Sequence, residues 1–540
     1  MYIQHSFLFG DQKFKLETGH ATNQSVLNLE IQGAVISTAI VVSAEADPEL
    51  FTPLIVDYCE TADPSTHIVG FNQLDTSEHE IHVSTLIARS LSPLLPSGYK
   101  NQIQLSIQAT VSDGSIDTVV PAILAASIAL EVFGIPFCGP LVAARVGYIN
   151  KTYVLNPNLE QRRESQLDLI VAGTNIGLAM VDAVIAELPE EVVLNGINFG
   201  HEKIQVVIDS IENFCNRAKK EPLWNVTKRN IILEKEIASL AELAIEEAHT
   251  FPLCERTELL QKITQKVLQE LTGPEANYCE PDVRRTFIEL ERSIIRQRLI
   301  DFKSRIDGRN ARQIQPFSIN NQQVLPAKGV ASFSGNASAF ASVTVSHPRT
   351  EIDAPQQDRL TLHYTLPLLP SEEIERAERT EIAAECFIKN AIKSVMPLEC
   401  DFDGVIHVTT KVTAEGAASE QAAICAVCIA MLNAGIPITS HVASVGMGVI
   451  ILGGHFTILS DPSPAEEHLS DLNLSVAGTE SGLTALQVDA KTRGITLPIL
   501  HAAFSQARES RLIILDVMRD KNVGSLPSPP LHGSDPWMHQ

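Results

Sequence analysis

The sequence predicts a mixed fold, α+β or α/β, in which one domain occurs twice with an all-α segment between the copies. Three observations carry this. SQLDLIVAGTNIGL, from Ser165, recurs as SDLNLSVAGTESGL, from Ser470, and AILAASIALEVFGIPF, from Ala122, recurs as AAICAVCIAMLNAGIPI, from Ala422. The spacing between copies changes by only a few residues from one pair to the other, which marks duplication of a whole domain. Between the copies the apolar period becomes helical.

Taken in order, the first copy opens with alternating strands (VLNLEIQGAVISTAIVVSA), continues into an Ala-rich apolar helix that stops at Gly-Ile-Pro, and returns to strands around VGYINKTYVLNP. From about residue 205 to 300, Leu233, Ile237, Leu240 and Ala244 recur at helical spacing, as do Leu260, Ile263, Val267 and Leu271. Pro252 and Gly273-Pro274 divide this insert into separate helices. The second copy repeats the order: strands (VASFSGNASAFASVTVS), apolar helix, strands (VGMGVIILGGHFTILSDP). RDKNVGSLPSPPLHGSDPWMHQ at the end is rich in Pro, Gly and Ser without apolar period, as a disordered tail is.

Composition narrows the function. Asp and Glu outnumber Lys and Arg 65 to 41, a net charge of −24, which disfavours a broad nucleic-acid or anionic-membrane surface; any RNA contact must be local. No apolar run reaches transmembrane length, and MYIQHSFLFGDQKF lacks the basic start and apolar segment of a signal peptide, so a cytoplasmic location is expected. The nine cysteines sit in apolar surroundings, as reduced core thiols do; Cys425 and Cys428 have no second pair near them to complete a zinc site.

AARVGYINKTYVLNP (from Ala143), SQLDLIVAGT (from Ser165), RIDGR (from Arg305), LHYTLP (from Leu362) and HLSDLNLSVAGTESGLTALQVDAK (from His468) resemble bacterial polynucleotide phosphorylase, over nearly the whole chain up to about Val523. The resemblance implies an α+β fold of two tandem RNase PH-like domains (ribosomal protein S5 domain 2-like), at 1–204 and 301–523, joined by an all-α domain at 205–300, with a tail at 524–540. It further implies a trimeric ring whose second copy degrades RNA from the 3′ end with inorganic phosphate. The family continues into KH and S1 domains; this sequence ends before them.

Phosphorolysis needs donors for phosphate, cations for the RNA backbone and carboxylates for a divalent metal. The family's Gly-then-serines phosphate loop matches TAEGAASEQAAICAV, from Thr413, where Ser419 is retained but Ala418 and Glu420 flank it. Each lost hydroxyl forfeits roughly 1 kcal/mol of hydrogen bonding, and a carboxylate repels phosphate; Ser419 and Glu420 also read as ordinary cap and first-turn residues. In FNQLDTSEHEIHVSTLIARSLSPLLPSGY, from Phe71, Asp75 and Thr76 replace the family's paired arginines, while Arg89 matches a family residue. Glu78, His79, Glu80 and His82 read as strand-period polar residues on an exposed loop rather than a metal set. In the second copy GVASFSGNASAF lacks the family's Arg, and ERTEIAAECFIKN keeps Arg379 but has Ala384 and Cys386 for the family's His and Arg. Arg89 and Arg379 are thus the RNA-binding candidates.

The family's metal-binding Asp, second Asp and Lys correspond to Glu467, Asn473 and Ser475, vestigial catalytic positions; Glu467 and Asp471 remain as candidate metal ligands, and Asp489 and Lys491 match family residues. Mg²⁺ usually takes one or two carboxylates with water and phosphate, so this set weakens binding. Within the repeat, Asp168 aligns with Asn473. The expected protein is a phosphorylase-like pseudoenzyme, a ring scaffold or partner subunit in RNA metabolism, homotrimeric or paired with an active homologue, without cofactor, DNA or membrane. Two alternatives stand: an active 3′–5′ phosphorolytic exoribonuclease using Mg²⁺ or Mn²⁺ at a rebuilt site, and a non-catalytic RNA or nucleotide binding module.

Overall fold

The computed structural model describes residues 3–520 except 22–23, 47–53, 62–76, 97–98, 100, 112–115, 221–229, 252, 273–277, 303–304, 326–327, 347–358, 368–373, 399–400, 403 and 415–418. The tail from 521, and the positions of Asp75, Thr76 and Ala418, therefore lie outside the described residues.

The first copy contains β1 (Ile3–Phe9), β2 (Gln12–Ala21), β3 (Gln24–Ile31), β4 (Ala34–Ala46), β5 (Leu54–Thr61), α1 (Glu78–Leu91), β6 (Asn101–Thr110), α2 (Val119–Val132), β7 (Val142–Ile149), β8 (Thr152–Leu155), α3 (Leu159–Glu164), β9 (Leu167–Gly173), β10 (Leu178–Leu188) and α4 (Glu190–Ala218). Its first six strands form a sheet in the order β1-β2-β3-β4-β6-β5, with β5 and β6 parallel across the α1 crossover. Every residue of α2 is buried, as expected of a helix apolar on all sides and covered on both faces.

The run Glu78–His82 is not the strand-period loop its alternation suggests. Ser77 accepts from the Glu80 amide while Glu80 reaches back to the Ser77 amide, a capping box that starts α1 there. The expected domain change at 204/205 falls inside α4, whose Val207, Ile208, Ile211, Phe214 and Cys215 continue the core of the first copy.

The insert comprises α5 (Ile231–Ala248), α6 (Leu253–Leu271) and α7 (Glu280–Phe302). Leu233, Ile237, Ala241 and Ile245 of α5 meet Val267 of α6 and Phe287 of α7 in a core of their own. The end of α7 packs Ile295 and Leu299 against Ile450, Leu459 and Leu469 of the second copy.

The second copy contains β11 (Ser318–Leu325), β12 (Lys328–Ser334), β13 (Ser338–Ser346), β14 (Leu360–Thr365), α8 (Ile374–Lys393), β15 (Val405–Ala414), α9 (Ser419–Asn433), β16 (Ala443–Leu452), β17 (His455–Ser460), α10 (Pro464–Leu469), β18 (Leu472–Gly478), β19 (Leu483–Ala490) and α11 (Leu497–Asp520). Its first sheet runs β11-β12-β13-β15-β14, again with a parallel pair across the crossover helix. From Gln421 to Leu432 every residue of α9 is buried, including Cys425 and Cys428, whose thiols burial pushes up to about 12.

The later strands of both copies make one sheet of eight, β17-β16-β18-β19-β10-β9-β7-β8. β10 and β19 pair antiparallel at its centre, Met180 opposite Asp489 and Asp182 opposite Gln487, so the copies share a continuous ladder. One apolar core runs through both. Among the described residues no helix is long and apolar enough to cross a membrane.

Candidate active site

Four segments of the second copy supply the predicted residues. α10 provides Glu467; β18 provides Asn473 and Ser475, two residues apart and so on one face; β19 and the residue after it provide Asp489 and Lys491; the first turn of α9 provides Ser419, Glu420 and Gln421. Asn473 lies opposite Asp489 in the ladder.

Within this group the polar atoms answer one another. Asn473 Nδ2 donates to Glu467 Oε1 at 3.2 Å, and Asn473 Oδ1 is buried without a partner among the described residues. Gln421 Nε2 donates to Ser475 Oγ at 2.6 Å, and Lys491 Nζ donates to the Glu467 backbone carbonyl at 2.5 Å. Ser419 is buried at the first position of α9.

Burial raises the Glu467 carboxyl above its ordinary range, with Lys491 opposing and Asp489 adding to the shift. Burial lowers the Lys491 ammonium against the pull of Glu467 and Asp489. Glu420 is pushed up to about 7 by burial, with Arg89 opposing and Asp489, Glu467 and Asp182 reinforcing it. The site is crowded with acid, a poor setting for an incoming phosphate.

Arg89 reaches this cluster from the first copy. Its Nε donates to Asp489 Oδ1 at 2.8 Å and its Nη1 to Asp182 Oδ2 at 3.1 Å, so it bridges the two central strands. Arg379, the other RNA-binding candidate, donates from Nη1 to the Val56 carbonyl and from Nη2 to Asp57 Oδ1, both at 3.0 Å, and ties α8 to β5. Both guanidinium groups are engaged in contacts between copies.

Asp471, a candidate metal ligand, has a different employment. Its two oxygens accept from Arg296 Nη1 at 3.0 Å and Nη2 at 2.7 Å, and Oδ2 also accepts from the Ile451 amide at 2.7 Å. The carboxylate, on the residue just ahead of β18, anchors α7 to the sheet through Arg296. The family's divalent metal would need converging carboxylates. Here Glu467 already accepts an amide hydrogen and Asp471 is committed to Arg296, and among the described residues no three His, Cys, Asp or Glu side chains cluster as a metal site. The residues present do not fit that metal.

Several participants are invisible to sequence reasoning. Asp182 aligns with Gln487 in the repeat, and nothing local marks it as a partner of Arg89. Gln421 carried one signal, an amide in an otherwise apolar Ala-rich run. Glu466 and Arg305, both fully buried, form a bidentate pair with contacts of 3.0 and 2.5 Å that locks the RIDGR loop to α10.

Family comparison agrees with this organisation. The model of the 3′ exoribonuclease family, domain 1, matches residues 12–136 and again 313–437, and that of domain 2 matches 139–203. The model of the polyribonucleotide nucleotidyltransferase RNA binding domain matches 232–310. Among solved structures the chain is similar to rice (Oryza sativa) Rrp46, at 20% identity and a TM-score of 0.34, over 40% of this chain and 99% of that one. Two RNase PH domains on either side of the helical domain are the core architecture of polynucleotide phosphorylase, and the chain belongs to that family.

Proposed function

We propose that this chain is a phosphorolysis-deficient member of the family, acting as a ring scaffold or partner subunit in RNA metabolism. The observation that carries the reading is the amide of Asn473 donating to Glu467. An amide donor stands where a second carboxylate would have to face a cation. Phosphoryl transfer depends on positive charge aimed at the developing oxyanions, and here Arg89, Lys491 and Arg379 are each held by an acid or a carbonyl. What the chain keeps intact is the framework on which subunits of this family assemble. Incubation of the pure protein with poly(A), phosphate and Mg²⁺ or Mn²⁺ should release no ADP above background; robust release sinks the reading. Light scattering tests the assembly, with a trimer or a mixed oligomer with an active homologue expected.

The rival reading, an active enzyme with a rebuilt site, draws on the co-location with Asp489 of three groups whose protonation is shifted, Glu467, Lys491 and Glu420. The pair Asn473→Asp and Ser475→Lys separates the two: gain of metal binding supports an emptied site, and loss of an existing activity supports a rebuilt one.

A further inference from the structure

The first copy holds the internal counterpart of the site just described, with its charge reversed. Asp168 pairs with Val184 in the ladder as Asn473 pairs with Asp489, so the two clefts correspond residue by residue. Counting back from the shared Ser165 and Ser470, Arg162 stands where Glu467 stands. Ala186, at the end of the same face, stands where Lys491 stands.

This cleft is open, with a volume of about 580 Å³, and its lining includes Arg162, Arg163 and Asp168 from the first copy and Lys393 and Ser394 from the end of α8 in the second. Such a volume is within the range of small-molecule sites. The one lining acid is already satisfied: Asp168 accepts from Arg145 Nε at 2.6 Å and Nη2 at 3.2 Å. Arg162 adds a contact to the same carboxylate at 3.2 Å, yet its Nε is buried without a partner, and so is Ser394 Oγ. Arg163 and Lys393 are exposed and make no ion pair among the described residues. Three lining cations beside one satisfied lining acid, with Asp117 3.9 Å from Arg162, make a local excess of positive charge in a chain of net charge −24. Leu159, 40% exposed, offers an apolar flank.

We propose that this cleft binds a small diphosphate, free or carried by a nucleoside, between Arg162 and Arg163 of the first copy and Lys393 of the second. Guanidinium forks match phosphoryl oxygens, and a lysine contributed by the second copy adds a point charge that suits a second phosphoryl group. Binding across the seam would also couple ligand occupancy to the packing of α8 on the first copy. The inference is independent of whether the second copy turns over RNA.

Calorimetric titration of the intact chain with ADP and, separately, with inorganic pyrophosphate tests it. Binding is expected, weakened at least tenfold by Arg163→Glu with Lys393→Glu and unchanged by Glu467→Gln. Both substitutions in the double variant are at exposed positions, and Arg163→Glu alone serves if the pair does not fold. Equal binding of both ligands identifies the diphosphate as sufficient; binding of ADP alone adds the nucleoside. No binding of either at millimolar concentration, undiminished binding in the double variant, or loss of binding in Glu467→Gln overturns the proposal.

Discussion

At Asn473 the difference between an amide nitrogen and a carboxylate oxygen decides whether Glu467 has a donor or a rival beside it. The amide donates to Glu467, whose acid is already raised by burial. Asn473→Asp should therefore cost roughly 1 to 3 kcal/mol in urea unfolding at pH 8 without divalent ions, since a hydrogen bond becomes a like-charge contact in a partly buried site. Millimolar Mg²⁺ should return part of that loss; no response would mean that the surrounding backbone no longer holds a metal. Glu420 allows a test by pH. Its folded value of about 7 exceeds the ordinary 4.5, so the folded state holds the extra proton and stability is greatest below pH 4.5 as far as this group is concerned. That contribution is lost as pH rises from about 4.5 through about 7. Glu420→Gln should remove the loss, making the variant more stable than the parent at pH 8 by on the order of 1–2 kcal/mol while nearly equal at pH 5, as read by urea melts at the two values. That 473 and 475 stand for a family Asp and Lys is what the resemblance implies, and at 473 the repeat adds Asp168 as the aligned residue. Their partners were not legible in the sequence: Gln421 lies more than fifty positions away, and only packing of α9 on the sheet brings it to Ser475.

Among the elements, the short helices α3 and α10 show how local chemistry and long-range contact divide the work. Both begin with capping boxes, Asn158 with Gln161 and Ser463 with Glu466, so each turn starts at the same place in its copy. In α10 the box residue Glu466 is also the buried partner of Arg305, a use that the capping pattern does not reveal. The clamp between α7 and the sheet is similar. Arg296 donates to both oxygens of Asp471 and to the carbonyls of Leu469 and Ile451. Arg296→Ala leaves a mostly buried carboxylate unpaired and should destabilise the chain by about 3 kcal/mol; urea unfolding measures it, and faster proteolytic cleavage within 230–302 would show the insert loosening first. Gly329 marks another close approach, where an added Cβ would lie 1.9 Å from the Ala430 carbonyl oxygen. Gly329→Ala should push β12 off α9 and cost roughly 2 kcal/mol or more in the same assay.

At the scale of the molecule the later strands of the two copies are halves of one sheet. Pairing of β10 with β19, the Arg89 bridge to Asp182 and Asp489, and the fully buried Arg511 donating to Glu190 at 2.7 Å all cross the seam. Separated halves would each present a central strand as an open edge, a template for aggregation. Residues 1–229 and 230–520 expressed apart should be largely insoluble, and expressed together they should co-elute on size-exclusion chromatography as a one-to-one complex. Recovery of each half as a soluble folded monomer would contradict a shared core.

The sequence by itself determined the duplication, the helical insert, the buried apolar helices and which residue types stand at the candidate site, because periodicity, repetition and side-chain chemistry are local properties of a chain. The tertiary structure alone decided that Glu78 opens a helix in its fold context, that Asp471 serves Arg296 instead of a metal, that Arg89 and Arg379 are spent between copies, and that the first copy's cleft is cationic. Those facts depend on which groups meet across separations of up to 400 residues, and charge patterning carries no record of the partner. The residue types at the candidate site were thus readable along the chain, whereas their engagements became visible only where strands of both copies join in one sheet.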